Sequence, residues 1–388
     1  MSQAVSAPAA ALGVPAGYVQ APRWRVTANG KPLHGVYELE VVTNNFSEAS
    51  RFKFSMAPLP GESRNLAWYA AQADIFVVID AVLQKGGTAD ASGSPAPGWT
   101  TLLAGRVDSL AINPITGVAA CEGRDLAGLF IDSVTQEAFQ NQTASQIAAQ
   151  FVAQQTAAYP IANITGAITP TTTPVGRFYG DNYNDVNGGQ FWRATNQWNL
   201  LQYLAFSEGF QLYFAGSVLT FGPAPAVPYV MPVTFAGTPP VANVEHAEMI
   251  RSLTLAKDVE VTVMSWNSQG KLRTIGLAKS SHSQPSQRGV GPVQKYVFLK
   301  PDLDQNQALQ FAQSRLRDIT RRELIVNLRL PGELMLTPND QVQISGTGTA
   351  FDQSYHVDAI TRRFSFAQGF QESLRLKNHS TETQRAIY

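Results

Sequence analysis

Asp108, Glu122 and Asp125 come nearest to a catalytic set in this 388-residue chain. Paired carboxylates on adjacent strands hydrolyse glycosidic bonds, one acting as acid and the other as nucleophile or base. Alternating strand positions make such pairs common by chance, and Arg124 beside Asp125 reads as a local ion pair. The five histidines, His34, His246, His282, His356 and His379, show no metal-ligand spacing. His356, in the strand-like "SYHVDAI", reads as a surface or satisfied histidine. "GDNYNDVNGG" (180–189) invites a cation, but its oxygens miss the alternate positions of an EF-type loop and no Glu stands twelfth. A turn-rich loop is the better reading. "SGTGTAF" follows a strand without opening a helix, so it fails as a dinucleotide loop, and neither a G-x-S-x-G elbow nor a P-loop occurs. Cys121 is the single cysteine, which excludes an intrachain disulfide, and "GVAACEGRD" gives it the setting of a buried thiol. Lys271, Arg273, Lys279, Arg288 and Lys295 read as a solvated basic loop, with a phosphate or partner contact as the alternative. No residue is assigned to catalysis, a cofactor or a metal, and the expectation is that the protein is not an enzyme.

Composition points the same way. Twenty-nine basic residues balance 29 acidic ones and only 15% of the chain is charged, so bulk charge does not recruit nucleic acid or an anionic membrane. No apolar run reaches the roughly 18 residues of a membrane span. The first basic residue is Arg23, so no charged region precedes the Ala-rich start; a soluble protein made in a cytoplasm is expected. Low charge with much Gln, Asn, Thr, Gly and Pro fits surfaces covered by neighbours in an assembly. It fits an ordinary β-rich protein almost as well.

The elements that would position any site are mostly strands. Residues 1–22 read as a loose Ala/Pro/Ser arm. "RWRVTANGKPL" predicts a hairpin about Asn29-Gly30, and "VYELEVV", "SRFKFSM" and "DIFVVID" alternate with period 2. Gln84–Gly98 reads as a flexible loop. Thr143 to Gln146 has capping-box spacing ahead of a helical stripe of Ile147, Ala148, Phe151 and Val152. "TNQWNLLQYLAFSEG" predicts a second helix, with Thr195 or Asn196 as cap and Gly209 as stop, and "FQLYFAGSVLTFG" a hairpin. A third helix is expected over 304–320. In the last segment Val342 and Ile344, then Tyr355, Val357 and Ala359, then Phe364 and Phe366 alternate as strands, with turns at 346–349 and 368–369.

Two stretches carry matching landmarks. "FKFSMAPLPGE" (52–62) parallels "LIVNLRLPGE" (324–333), Asp74 parallels Asp340, and "VDSL" (107–110) parallels "VDAI" (357–360). A repeat would place Pro60 near Pro331, Asp74 near Asp340, and Val107-Asp108 near Val357-Asp358. Matches this short also arise by chance between strands, so repeat and coincidence both stand at this point. The expected class is β-rich and multidomain, with two similar β-barrel domains flanking an α+β domain. Its bounds are 23–125 for the first barrel, 126–247 for the α+β domain, and 248–388 for the second barrel with helix 304–320 and polar loop 267–295.

Three segments together resemble a known family: "LAGRVDSLAINPITGVAACEGRDLAGLFIDS" (103–133), "TNQWNLLQYLAFSEGFQLYFAGSVLTFGP" (195–223) and "LRLPGELMLTPNDQVQISGTGTAFDQSYHVDAITRRFSFAQGF" (328–370). They resemble the baseplate hub proteins of tailed bacteriophages, the late-control protein D group that includes the Mu-like hub. The family's "PGD" turn is here Pro338-Asn339-Asp340. The resemblance implies a homotrimer whose six barrels adapt a sixfold tail tube to a threefold spike or tip. It implies a place in the virion tail after assembly in the host cytoplasm. The partners implied are the tube or distal tail protein, the central spike, the tape measure protein and baseplate wedge, with DNA passing through unread. It leaves no room at this length for the lysozyme or peptidase domain of some members. The alternatives are a carbohydrate-binding or cell-wall-degrading protein of a tail tip, with Trp192 and Trp198 as an aromatic platform, and a secreted adhesin or fibre tip.

Overall fold

Early in the chain lie six strands, β1 (Ala21–Ala28), β2 (Val36–Asn44), β3 (Arg51–Met56), β4 (Phe76–Gln84), β5 (Thr100–Asn113) and β6 (Val118–Asp125), with burial alternating at period 2 most regularly in β3 and β6. The computed structural model describes residues 21–378 apart from 46–47, 60, 62–63, 85–98, 136–138, 140–141, 173, 176–194, 224–228, 238–240, 252–258, 268–271, 280–293, 301–302, 304, 321–323, 333 and 367–368. The six strands pair antiparallel in the order β2-β3-β6-β5-β4-β1. Asn29 and Gly30 both have positive φ, 44° and 74°, as a two-residue hairpin turn requires. Leu39, Val41, Phe52, Phe54, Val77, Ile79 and Cys121 point inward and fill the core of this first lobe.

The chain then changes period. Helix α1 (Ala127–Asp132) follows β6 directly, and α2 (Ala144–Ala158) opens on the expected capping box, Thr143 and Gln146 bonding each other's backbone N–H. α2 buries Ile147, Ala148, Phe151 and Val152. Asn196 Oδ1 accepts the Asn199 N–H at 2.7 Å to start α3 (Gln197–Glu208), and Gly209 (φ 70°) ends it. The hairpin of β7 (Gln211–Ala215) and β8 (Val218–Gly222) sets Leu212 opposite Phe221 and Phe214 opposite Leu219. Both helices pack on it, with Trp198, Leu201, Leu204 and Ala205 buried. Phe76 and Ala104 of the first lobe join the same core, so the α+β unit is seated on that lobe.

Strands return as β9 (Val230–Ala236) and β10 (His246–Arg251). Next comes a separate body: β11 (Val259–Asn267), β12 (Leu272–Lys279) and β13 (Gln294–Leu299) form a three-stranded sheet whose inner face packs on α4 (Gln305–Thr320) through Val259, Val261, Val263, Ala308, Ala312 and Leu316. The last strands are β14 (Leu324–Pro331), β15 (Gln341–Ser345), β16 (Ser354–Ser365) and β17 (Gly369–Asn378). They pair with β9 and β10 in the order β10-β14-β17-β16-β15-β9, around a core that includes Met231, Val326, Leu328, Val342, Tyr355, Val357 and Leu376.

That order is the order of the first lobe. Taking each lobe's strands in chain sequence, both run second-third-sixth-fifth-fourth-first. Every pairing from second to fourth is antiparallel in both. The lobes differ at the first strand, which is antiparallel to its neighbour in lobe one and parallel in lobe two. They are joined into one sheet by β16. Its residues 354–356 pair with β15, and on the same side residues 359–365 pair with β2 of lobe one.

The β-rich multidomain class expected from the sequence is what the structure has, but several bounds differ. Val230–Ala236, placed by sequence in the α+β unit, belongs to the second lobe, and Val259–Asn267 with α4 does not. The reason is nonlocal: the inward face of β11 is matched by the apolar stripe of α4 rather than by another long strand. The expected polar loop 267–295 contains strand β12, whose small inward residues Gly276 and Ala278 lie against α4. Phe366, expected inside, is exposed. The arm 1–20 and the loop 85–98 lie outside the described residues.

Candidate functional site

The three carboxylates of the catalytic reading are held by separate partners. Asp108 accepts from Arg124 Nε at 2.7 Å, and Arg124 also reaches Asp132 at 3.0 Å. Glu122 pairs with Lys53 at 2.5 Å. Asp125 is buried and accepts the backbone N–H groups of Ser50 (2.9 Å) and Ala127 (3.1 Å). Burial pushes its carboxyl up to about 7, the N–H bonds opposing the shift. The expected Arg124–Asp125 ion pair is therefore replaced by Arg124–Asp108 and Arg124–Asp132. Successive strand residues face opposite sides of a sheet, so neighbours on β6 point apart.

The remaining candidates also resolve into structure. His34 and His246 are exposed, His356 is half-buried on β16, and His282 and His379 lie outside the described residues. Among the described residues no three His, Cys, Asp or Glu side chains gather as a metal site. Cys121 is fully buried and burial raises its thiol to about 12. Trp198 is 3% exposed, stacked on Phe214, so it offers no sugar platform; Trp192 and the 180–189 loop lie outside the described residues. Of the basic run, Lys279 and Lys295 flank Glu260 at 2.9 and 3.8 Å, Arg273 is on β12, and Lys271 and Arg288 are not described.

What the sheet does build is a duplicated device. The β5–β6 register shifts between Val107 and Ser109, and the β16–β17 register shifts between Val357 and Ala359. Asp108 and Asp358 are thus each the extra residue of a bulge at the same place in the two lobes. Counting from the bulges, Arg124 of β6 corresponds to Lys377 of β17. Each reaches its own bulge aspartate: Arg124 bonds Asp108, and Lys377 pairs with Asp358, joined there by Arg375 at 3.4 Å. Asp125, buried at the end of β6, corresponds to Asn378, buried at the end of β17.

The bulge has a signal in the sequence that period-2 reading passes over. Buried residues fall at 355 and 357 and then at 360, 362 and 364, so the inward phase changes from odd to even across Asp358. Ala359, read as inward, accordingly lies on the other face.

After each bulge the fifth strand of a lobe leaves its own fourth strand. In lobe two the freed stretch, residues 359–365, pairs with β2 of lobe one: Thr361 faces Val42, Arg362 faces Val41 and Arg363 faces Glu40, which it also bonds through its guanidinium. Phe364 thereby enters the first lobe's core, stacked on Phe370 at 4.2 Å and 5.4 Å from Trp24. Among the described residues, the corresponding stretch of β5 has no partner on that side, and β10, the counterpart of β2, pairs only with β14. A shallow groove on the outer face, lined by Val42, Arg51, His246, Asn327, Thr361 and Arg375, spans the junction without converging carboxylates.

No family model matches the chain, and no curated protein matches it. Solved structures do. The chain is similar to a tail protein from Neisseria meningitidis (TM-score 0.62, 14% identity, 94% of this chain and 99% of that one). It is similar to the 43 kDa tail protein of prophage MuSo2 from Shewanella oneidensis (0.59, 13%, 91% and 97%). A third is prophage tail protein gp18 from Listeria monocytogenes (0.57, 10%, 94% and 97%). The chain has the fold of phage tail proteins.

Proposed function

We propose that this protein is a structural baseplate hub of a bacteriophage tail, a homotrimer that joins a sixfold tail tube to a threefold spike or tip. The observation that carries this reading is the shared strand order and shared bulge of the two lobes. Three chains then present six near-equivalent barrels, the number a sixfold tube needs. The α+β unit and the β11–β13/α4 body occur once per chain, so they recur three times around such a ring and mark its threefold end. The reading places the protein in the virion tail after assembly in the host cytoplasm. The tube or distal tail protein would sit on one face and the spike on the other, with the tape measure protein and baseplate wedge as further neighbours. DNA passes through the centre without being read. No enzymatic step belongs to this reading, which is supported by the separate engagement of Asp108, Glu122 and Asp125. The similarity in fold to three tail proteins over more than nine-tenths of the chain supports the same conclusion.

The test is the copy number in tails carrying this chain, read from a side-chain-resolution reconstruction. Three copies per tail, with the two lobes alternating around the axis, is the expected result. Any other number refutes the adaptor.

A further inference from the structure

Among the described residues the chain shows one lobe-to-lobe junction and leaves the equivalents of its two halves unpaired. The junction is the antiparallel pairing of residues 359–365 of β16 with β2. Its unused halves are the equivalent stretch of β5, residues 109–113, and the equivalent strand β10. Both are edges that natural proteins usually protect. Ser109, Leu110, Ala111, Ile112 and Asn113 carry neither a charge nor a proline. Burial reports the same incompleteness. Where the junction is made, the inward residues Leu39, Val41, Ile360 and Phe364 are all 0% exposed. At the unused halves the matching inward residues Ala247, Met249, Leu110 and Ile112 are only half-buried, and Ile250 on the outer side is 43% exposed.

We propose that β10 of one copy pairs antiparallel with residues 109–113 of β5 of the next copy, repeating between chains the junction made within each. The occupant being a second copy rests on the trimeric reading above; the register rests on the structure alone. Transferring the β2–β16 register through the bulges sets Ala111 opposite Ile250, Ile112 opposite Met249, and Asn113 opposite Glu248. Asn113 opposite Glu248 then takes the place of the bonded pair Arg363–Glu40. Such an interface is head-to-tail, and a head-to-tail contact that closes on itself leaves no β10 edge and no β5 stretch of this kind unpaired. A one-residue slip would set the inward Leu110 and Ile112 opposite outward residues of β10, so the half-buried faces fix the register.

Cysteine pairs in the purified full-length chain test this. Directly opposed antiparallel residues have Cα atoms about 4.5–5.5 Å apart, within disulfide reach. The double variants Ala111→Cys/Ile250→Cys and Ile112→Cys/Met249→Cys are oxidised across a concentration series up to the solubility limit. The slipped pair Ala111→Cys/Met249→Cys is the control. Opposed pairs should give intermolecular disulfides at least an order of magnitude faster than the slipped pair, in a ladder ending at a covalent trimer. Faster cross-linking of the slipped pair, or none by either opposed pair at any concentration, overturns the proposed junction and leaves the trimer to the copy-number test. A ladder that closes at another number keeps the junction and sinks the trimer. Unchanged circular dichroism of the reduced variants shows that the monomer fold is intact.

Discussion

Asp108 and Asp358 stand at the same point of the two lobes, each the extra residue of a bulge and each held by a basic side chain from the sixth strand of its lobe. A bulge re-aims the strand beyond it. In lobe two the re-aimed strand crosses into lobe one, so the aspartate and its cation sit where the chain passes from closing its own lobe to joining the next.

Removing these carboxylates should therefore loosen both junction strands. Asp108→Ala should cost roughly 1 kcal/mol, because the pair is partly solvent-exposed and Arg124 keeps Asp132. Asp358→Ala should cost more, about 2 kcal/mol, since Asp358 is better shielded and serves both Lys377 and Arg375. Urea midpoints of the two single variants and the double variant would show this. A larger loss for Asp108→Ala would contradict it.

Phe364 belongs by sequence to lobe two and by packing to lobe one. Phe364→Ala should cost about 3–5 kcal/mol, the penalty of a buried phenyl cavity. The loss should appear in the melting of the first lobe, followed through the near-ultraviolet signal of Trp24. Exposed Phe366→Ala is the matched control and should cost little.

The Asp125 carboxyl, at about 7 in the fold, ordinarily titrates near 3.8. Between those values the native state holds a proton that the unfolded chain has released. The stabilisation is fully present below about 3.8 and is lost as pH rises toward 7. Asp125→Asn, which installs the residue found at the equivalent Asn378, removes this dependence. Subtracting the two unfolding free energies from pH 4 to 8 should leave a curve that falls for the wild type by a few kcal/mol and levels off above 7. A difference that rises over that range would rule out a buried protonated acid.

Cys121, fully buried with its thiol raised to about 12, should resist labelling in the native protein. Disulfide reagents at pH 8 should modify it only at the rate of local opening, and stoichiometrically in urea. Immediate native labelling would mean that the first lobe is open at β6.

Local features were legible in the sequence and long-range ones were not. The capping box at Thr143, the Asn196 cap and the Asn29-Gly30 turn depend on residues a few positions apart, and all three form. The repeat was visible at Val107-Asp108 and Val357-Asp358, which coincide. Its other landmarks were misaligned. Register places Ala57, three residues from the undescribed Pro60, at the position of Pro331, and Ile75 rather than Asp74 at that of Asp340. The matching letters lie at "PGE" and Asp, whereas the ladder is set by which apolar side chains face inward. The allegiance of β9 and β11 could not be read at all, because a single strand carries no record of the sheet it will join. As for the site, the sequence named Asp108 as a candidate carboxylate and gave Arg124 to Asp125, missing the Asp108–Arg124 pair, since the bulge between Val107 and Ser109 decides what faces what.

The strand Ser354–Ser365 is also a mechanical element. With β17 along one side and β15 and β2 in succession along the other, it carries the pairing from one lobe to the other across the single bulge at Asp358. Pulling or twisting one lobe against the other must shear a ladder of backbone hydrogen bonds collectively rather than peel them singly. Torque applied to lobe one is therefore passed to lobe two through the sheet itself. The hairpin of the α+β unit and the three-stranded β11–β13 sheet lie outside that sheet and take no part in this load path.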